Sequence, residues 1–172
     1  MHGPIALRVF LLVGVALDSS ALGALTEGAR FPVFAGTDVA GVGHSTAEYR
    51  GRRTMVVVIS DRGATDDMRA WWNTADRRLP EDVQRKSIVS IGVPFFIGAD
   101  YARSKARDDI PRQYWDDTLL DIHRTMAKRL GLGKSGSPWV FVLDADMGVV
   151  AIVHAKAASP EAERIWRALG RP

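Results

Sequence analysis

No cysteine occurs anywhere in the 172 residues of this chain. That absence excludes disulfides, thiolate metal sites, a nucleophilic thiol and any redox pair of cysteines. Long apolar runs are also missing: none reaches the roughly 20 residues that a membrane-spanning helix needs. Charge of one sign is scarce in its concentrated form. The net charge is +3 and the sequence pI about 9.5, but the basic clusters Arg50–Arg53 and Arg103–Arg107 are interleaved with Glu48, Asp61, Asp66, Asp67, Asp108 and Asp109. This mixed pattern reads as a solvated surface and does not supply the single basic face expected of a nucleic-acid binder. Internal repeats and low-complexity tracts are absent as well. With 47% hydrophobic and 25% charged residues, the chain has the composition and length to bury a core without staples.

The first residues have a layout of their own. "MHGPIALR" carries a positive charge, "VFLLVGVAL" is a short apolar run, and "DSSALGAL" supplies small residues around Ala21 and Gly23. These are the three parts of a secretory signal peptide. The expectation is a leader over residues 1–24, a mature protein starting near Ala24 or Leu25, export to the periplasm or beyond, and one domain over 25–172.

Periodicity then places the elements. "TMVVVIS", Thr54 to Ser60, is β-branched without alternation, as in a strand buried on both faces. Thr65 is the predicted N-cap of the next helix, with Asp66 and Asp67 at its positive end. Met68, Trp71, Trp72 and Ala75 fall on one helical face, and Pro80 marks the exit. Ser87 to Ile97 reads as a strand ending before Pro94, and Tyr101 to Ala106 as a short helix. Leu119, Ile122, Met126 and Leu130 predict a helix from 119 to 130, with Asp116 and Asp117 as partners of its dipole and Gly131 and Gly133 as its stop. "WVFVLD" and "VVAIVH" form a hairpin across Ala145–Gly148. Ser159 as N-cap and Pro160 at the first position open a last helix that buries Ala162, Ile165, Trp166 and Leu169. The order strand–helix–strand–helix–strand–strand–helix predicts an α/β fold in which a βαβ unit joins a ββα unit, giving a mixed sheet with helices on both faces.

Two stretches carry a resemblance. "FPVFAGTDVAGVGHSTAEYRGRRTMVVVIS" resembles the opening hairpin and first core strand of the thioredoxin-like superfamily. "MAKRLGLGKSGSPWVFVLDADMGVVAIVH" resembles its second helix, its cis-proline loop and its terminal hairpin. The chain is most similar to the exported redoxin and thiol-specific antioxidant, peroxiredoxin-like branch, over residues 31 to 169. The resemblance implies a thioredoxin-like mixed β-sheet with an N-terminal hairpin extension. It also implies a redox cysteine where the first core strand meets its helix. Here that junction, "SDRGATDDM", has none, and no residue substitutes for the attacking thiolate. The family's proline loop faces that junction and pins extended peptides through backbone hydrogen bonds. Carried over, it suggests a cis Ser137–Pro138 bond and a binding ledge made by Arg62, Thr65, Ser137, Pro138 and Trp139.

Other motifs carry less. Gly133-Lys134-Ser135 suggests a phosphate loop, but it follows a predicted helix and precedes a strand, and Lys128 stands where the first glycine is required. "DADMG" at Asp144–Gly148 lacks the third acid and the distant glutamate of a calcium loop, so a hairpin turn is the reading. His44, His123 and His154 have no metal-ligand spacing, and Trp71, Trp72, Trp139 and Trp166 need only a core to explain them. The expectation is therefore an exported thioredoxin-like domain without thiol redox activity. It has no cofactor, no metal and no nucleic acid, and it serves to bind a protein or extended peptide or to support an envelope assembly. The alternative is an enzyme of non-thiol chemistry in the same cleft, drawing on Arg62, Asp66, His123 or His154. It requires a histidine and a carboxylate to meet beside Pro138.

Overall fold

The structure, a computed structural model, describes residues 23–170. All but the last two residues of the expected leader lie outside the described residues. Among those described, no helix is long and apolar enough to cross a membrane.

The fold is built outward from β3 (Thr54–Ile59), every residue of which is buried. Side chains alternate across a strand, so Met55, Val57 and Ile59 enter one core and Val56 and Val58 the other. That explains the uninterrupted apolar run: both faces of this strand are covered. β3 pairs in parallel with β4 (Gln84–Val89), which pairs in parallel with β5 (Thr118–Leu120). On its other side β3 pairs antiparallel with β6 (Trp139–Leu143), and β6 with β7 (Val149–His154). The hairpin of β1 (Ala35–Asp38) and β2 (Gly43–Ser45) attaches antiparallel to β5, which completes the order β2-β1-β5-β4-β3-β6-β7.

Helix α1 (Thr65–Arg78) and helix α4 (Glu163–Leu169) cover one face. There Met68, Trp71, Trp72, Ala75, Ile165, Trp166 and Leu169 are buried together. Both buried indoles of α1 find acceptors, as their desolvation requires. Trp71 Nε1 donates to the Ala155 carbonyl at 2.9 Å, and Trp72 Nε1 to Ser87 Oγ at 2.8 Å. The other face holds Phe31, Phe34, Phe141, Met147 and the short α3 (Thr125–Arg129). The expected mixed sheet with helices on both faces and an N-terminal hairpin is what the chain forms.

Several local expectations are corrected. The predicted 119–130 helix is two elements, β5 and α3. Leu119 and Leu120 pair with Ile88 and Val89 of β4, and Arg124, at φ 58°, interrupts any helical continuation. Asp117 therefore caps no helix; its carboxylate accepts from Lys86 Nζ at 2.5 Å. The strand expected at Ser87–Ile97 runs from Gln84 to Val89. The short helix expected at 101–106 is α2 (Ala99–Asp109). Thr65 is not an N-cap. A 3-10 turn over Arg62–Ala64 precedes α1, Asp61 caps that turn by accepting from Gly63 N, and the Thr65 hydroxyl donates back to the Arg62 carbonyl at 2.8 Å. Ser159 makes no capping bond either, and Pro160 opens a 3-10 turn that leads into α4.

Candidate functional site

Parallel strands end together at one edge of a sheet, and the crevice beyond their carboxyl ends is the usual place for a site in α/β folds. Here each of the three parallel strands is followed at once by a buried polar residue that ties down a loop. After β3, Ser60 Oγ donates to the Gly133 carbonyl at 2.6 Å. After β4, Ser90 Oγ donates to Asp121 Oδ2 at 2.6 Å and accepts from Ala127 N. After β5, Asp121, only 8% exposed, also accepts from Met126 N at 2.6 Å. None of the three was singled out from the sequence. The signal was present, however: one polar residue closing each of the runs "VVVIS", "SIVS" and "TLLD".

Near these strand ends lies a cavity of about 360 Å³ between the start of α1 and the inner side of α2. Its floor is apolar, with Ile59, Met68, Val89, Ile91, Leu120 and Ile110, and its rim is charged, with Arg62, Asp66, Arg69, Lys105 and Asp109. Arg69 Nη1 donates to Asp66 Oδ1 at 3.1 Å and its Nη2 to the Asp109 carbonyl at 3.2 Å. Lys105 Nζ donates to Asp108 Oδ2 at 3.3 Å. Arg62 is exposed and its guanidinium has no such partner among the described residues. Two residues beyond Val93, which also lines the cavity, Phe95 and Phe96 stand 99% and 74% exposed with their rings edge to face at 5.6 Å.

The five expected ledge residues divide between two neighbouring places. Arg62 and Thr65 line the cavity. Ser137, Pro138 and Trp139 lead from loop 133–138 into β6 and are not among its walls. The loop does pass the junction, since a Cβ on Gly63 would lie 3.8 Å from Gly136 Cα. No peptide bond among the described residues is cis, so Ser137–Pro138 is trans. Trans is the ordinary form even before proline, favoured by about 0.5–1 kcal/mol, and beyond this bond the Pro138 carbonyl accepts from Ala155 N at 3.2 Å.

Around this loop Ser135 Oγ lies 2.6 Å from His154 Nε2 and accepts from Ser137 N at 3.1 Å. The His154 ring stacks flat on Trp139, with centroids 3.9 Å apart. His154 thus meets a hydroxyl and an indole, and no carboxylate among the described residues. His123 is exposed, and its backbone N–H rather than its ring donates to Asp121. A histidine does meet carboxylates at His44, where Nε2 lies 3.0 Å from Asp38 Oδ2 and Nδ1 lies 3.0 Å from Glu48 Oε2. That trio belongs to the β1–β2 hairpin and the 3-10 turn that follows it, Thr46–Tyr49, and none of the three lines the cavity. Hydrogen bonding to Glu48, then to Asp38, raises the His44 pKa against the opposing effect of burial. Among the described residues, no group of three or more His, Asp or Glu side chains, this trio included, is placed so that it could hold a metal ion.

No family model matches the chain, and no curated protein does. Solved structures do. The exposed lipoprotein thioredoxin of Streptococcus pneumoniae superposes with a TM-score of 0.58 at 13% identity, over 80% of this chain and 98% of that one. The thioredoxin domain of a thiol-disulfide oxidoreductase from Bacteroides vulgatus gives 0.54 at 14% identity, over 83% and 99%. A thiol peroxidase from Chromobacterium violaceum gives 0.53 at 18% identity, over 77% and 78%. Similarity at this level speaks to the fold: the chain has the thioredoxin-like fold and carries no cysteine on it.

Proposed function

We propose that the chain is an exported binding module on a thioredoxin-like scaffold, with no thiol redox chemistry of its own. A protein or extended peptide docks across the junction at Arg62 and Thr65 and the loop at Ser137, Pro138 and Trp139. The observation that carries this reading is the junction itself. Where β3 hands over to α1, the residues are Asp61-Arg62-Gly63-Ala64-Thr65, with no thiol and with the threonine hydroxyl turned back onto a carbonyl. A nucleophile needs a base within reach, and no histidine lies there. The surface nevertheless stays open beside an apolar cavity and two protruding phenylalanines, features that mark interaction sites. Export is supported by the three-part layout of the first residues.

Three experiments test the reading. In disulfide-reductase and peroxidase assays the purified protein is expected to give no turnover above buffer; robust turnover in either overturns it. A photoreactive residue at Ser137 is expected to capture a defined partner that the same probe at Val150, on the far hairpin, does not. Sequencing the amino terminus of the protein from the exported fraction should locate cleavage near Ala24 or Leu25. The non-thiol enzyme has less support, because His154 and His123 meet no carboxylate beside Pro138.

A further inference from the structure

The geometry points to a small-molecule site beside the proposed docking surface, with which it shares Arg62 and Thr65: we propose that the cavity between α1 and α2 binds a monomeric amphiphile with an apolar body and one carboxylate head. Two separate observations select this class. The first is the floor. At about 360 Å³ the cavity lies in the range that takes a small ligand, and Ile59, Met68, Val89, Leu120 and Ile110 offer it no polar group but backbone. An apolar chain buried there gains with each methylene removed from water. A sugar or nucleotide would lose its hydrogen bonds.

The second is the charge at the rim. Asp66 is held by Arg69 at 3.1 Å, and Lys105 by Asp108 at 3.3 Å. Arg69 is further committed to the Asp109 carbonyl. Arg62 is the lining cation left without a carboxylate, and it stands just before the amino-terminal end of the 14-residue helix α1, where the helix dipole also favours an anion. A guanidinium with free N–H groups donates two parallel hydrogen bonds to a carboxylate. A cationic head in that position would face Arg62 and the helix dipole together.

The test is calorimetric titration of the purified protein with decanoate, decanol and decyltrimethylammonium, each kept below its micelle concentration. Decanoate is expected to bind at one site per chain. Arg62→Gln should weaken decanoate roughly tenfold or more, the loss expected for a charge-assisted hydrogen bond, and should leave decanol within about twofold. Ala106→Phe should abolish binding of both by filling the cavity. Ala102→Leu, a smaller intrusion from the same helix, serves if the first variant does not fold by circular dichroism. The proposal is overturned by the absence of saturable decanoate binding or by an unchanged affinity in Arg62→Gln. Equal or tighter binding of decyltrimethylammonium overturns it too, as does association with anionic phospholipid vesicles but not with monomeric decanoate.

Discussion

His44 shows how much a single residue can organise and how its effect depends on pH. Asp38 is buried and its Oδ1 accepts from the backbone N–H groups of Gly41 and Val42 at 2.6 and 2.8 Å, which shapes the β1–β2 turn. Its other oxygen faces His44, whose second nitrogen faces Glu48, and Glu48 in turn accepts from Ser45 N at 2.8 Å to close a capping box. The folded state raises the His44 pKa above its ordinary 6.5. It lowers that of Glu48 below 4.5, first through the Ser45 backbone bond and then through His44. By linkage, the histidine's contribution is fully present below 6.5 and is lost as pH rises through the folded value. The glutamate's contribution is present above 4.5 and is lost as pH falls through the lowered value. Both act between those limits. Because Glu48 is largely exposed, the sum is small, about 0.5 kcal/mol. Urea unfolding of wild type and His44→Gln should therefore differ most between pH 4.5 and 6.5 and converge as pH rises through the folded value. A difference that stays constant across that range would show that the trio contributes no titrating interaction.

At the scale of elements, the turn between β6 and β7 rests on one carboxylate. Asp144 Oδ1 accepts from Asp146 N and Gly148 N, and the backbone closes with Asp144 N donating to Gly148 O and Met147 N to Asp144 O. Met147 takes the left-handed conformation, φ 67°, and is fully buried in the second core, so the turn spends backbone strain to place a side chain. Replacing Asp144 with alanine removes two acceptor contacts and should cost about 1–2 kcal/mol, a fall in Tm of about 2–4 °C per kcal/mol for a chain of this size. Asn should recover part of it through its own oxygen. Gly148→Ala should also destabilise, since its Cβ would sit 2.6 Å from Asp144 Oδ2. Thermal melts of the three variants rank these effects, and an Asp144→Ala protein as stable as wild type would contradict them. This turn was legible in the sequence because its chemistry is local. So were β3, α1 and the face of α4, where burial on one or both sides writes itself into residue spacing. β5 was not. Its three residues become a strand only through non-local pairing with β4 and β1, and spacing alone placed Leu119 on the same helical face as Met126. Of the candidate site, Arg62 and Thr65 were found through the junction, whereas the cavity walls on α2 depend on how that helix docks.

At the scale of the whole molecule, one sheet separates two cores, and the question is whether they fail together. Tryptophans 71, 72, 115 and 166 all pack on the α1/α4 side, while Trp139 borders the other. Indole fluorescence therefore reports mainly on one face, and backbone dichroism on all of it. Every residue of β3 from Met55 to Ile59 serves one core or the other, with Thr54 buried beside them. Loss of either core thus exposes the central strand and strips the second core of its floor. The expectation is a single cooperative transition in which fluorescence and far-ultraviolet dichroism coincide. Ile165 on α4 and Leu130 just after α3 are both fully buried, one in each core. Ile165→Ala and Leu130→Ala should each cost about 2–5 kcal/mol. They lie in different cores, so the double variant should equal their sum to within about 0.5 kcal/mol. If Leu130→Ala instead shifted the dichroism transition and left the fluorescence transition in place, the two faces would be separate folding units. The sheet would then be a seam between them rather than a common floor.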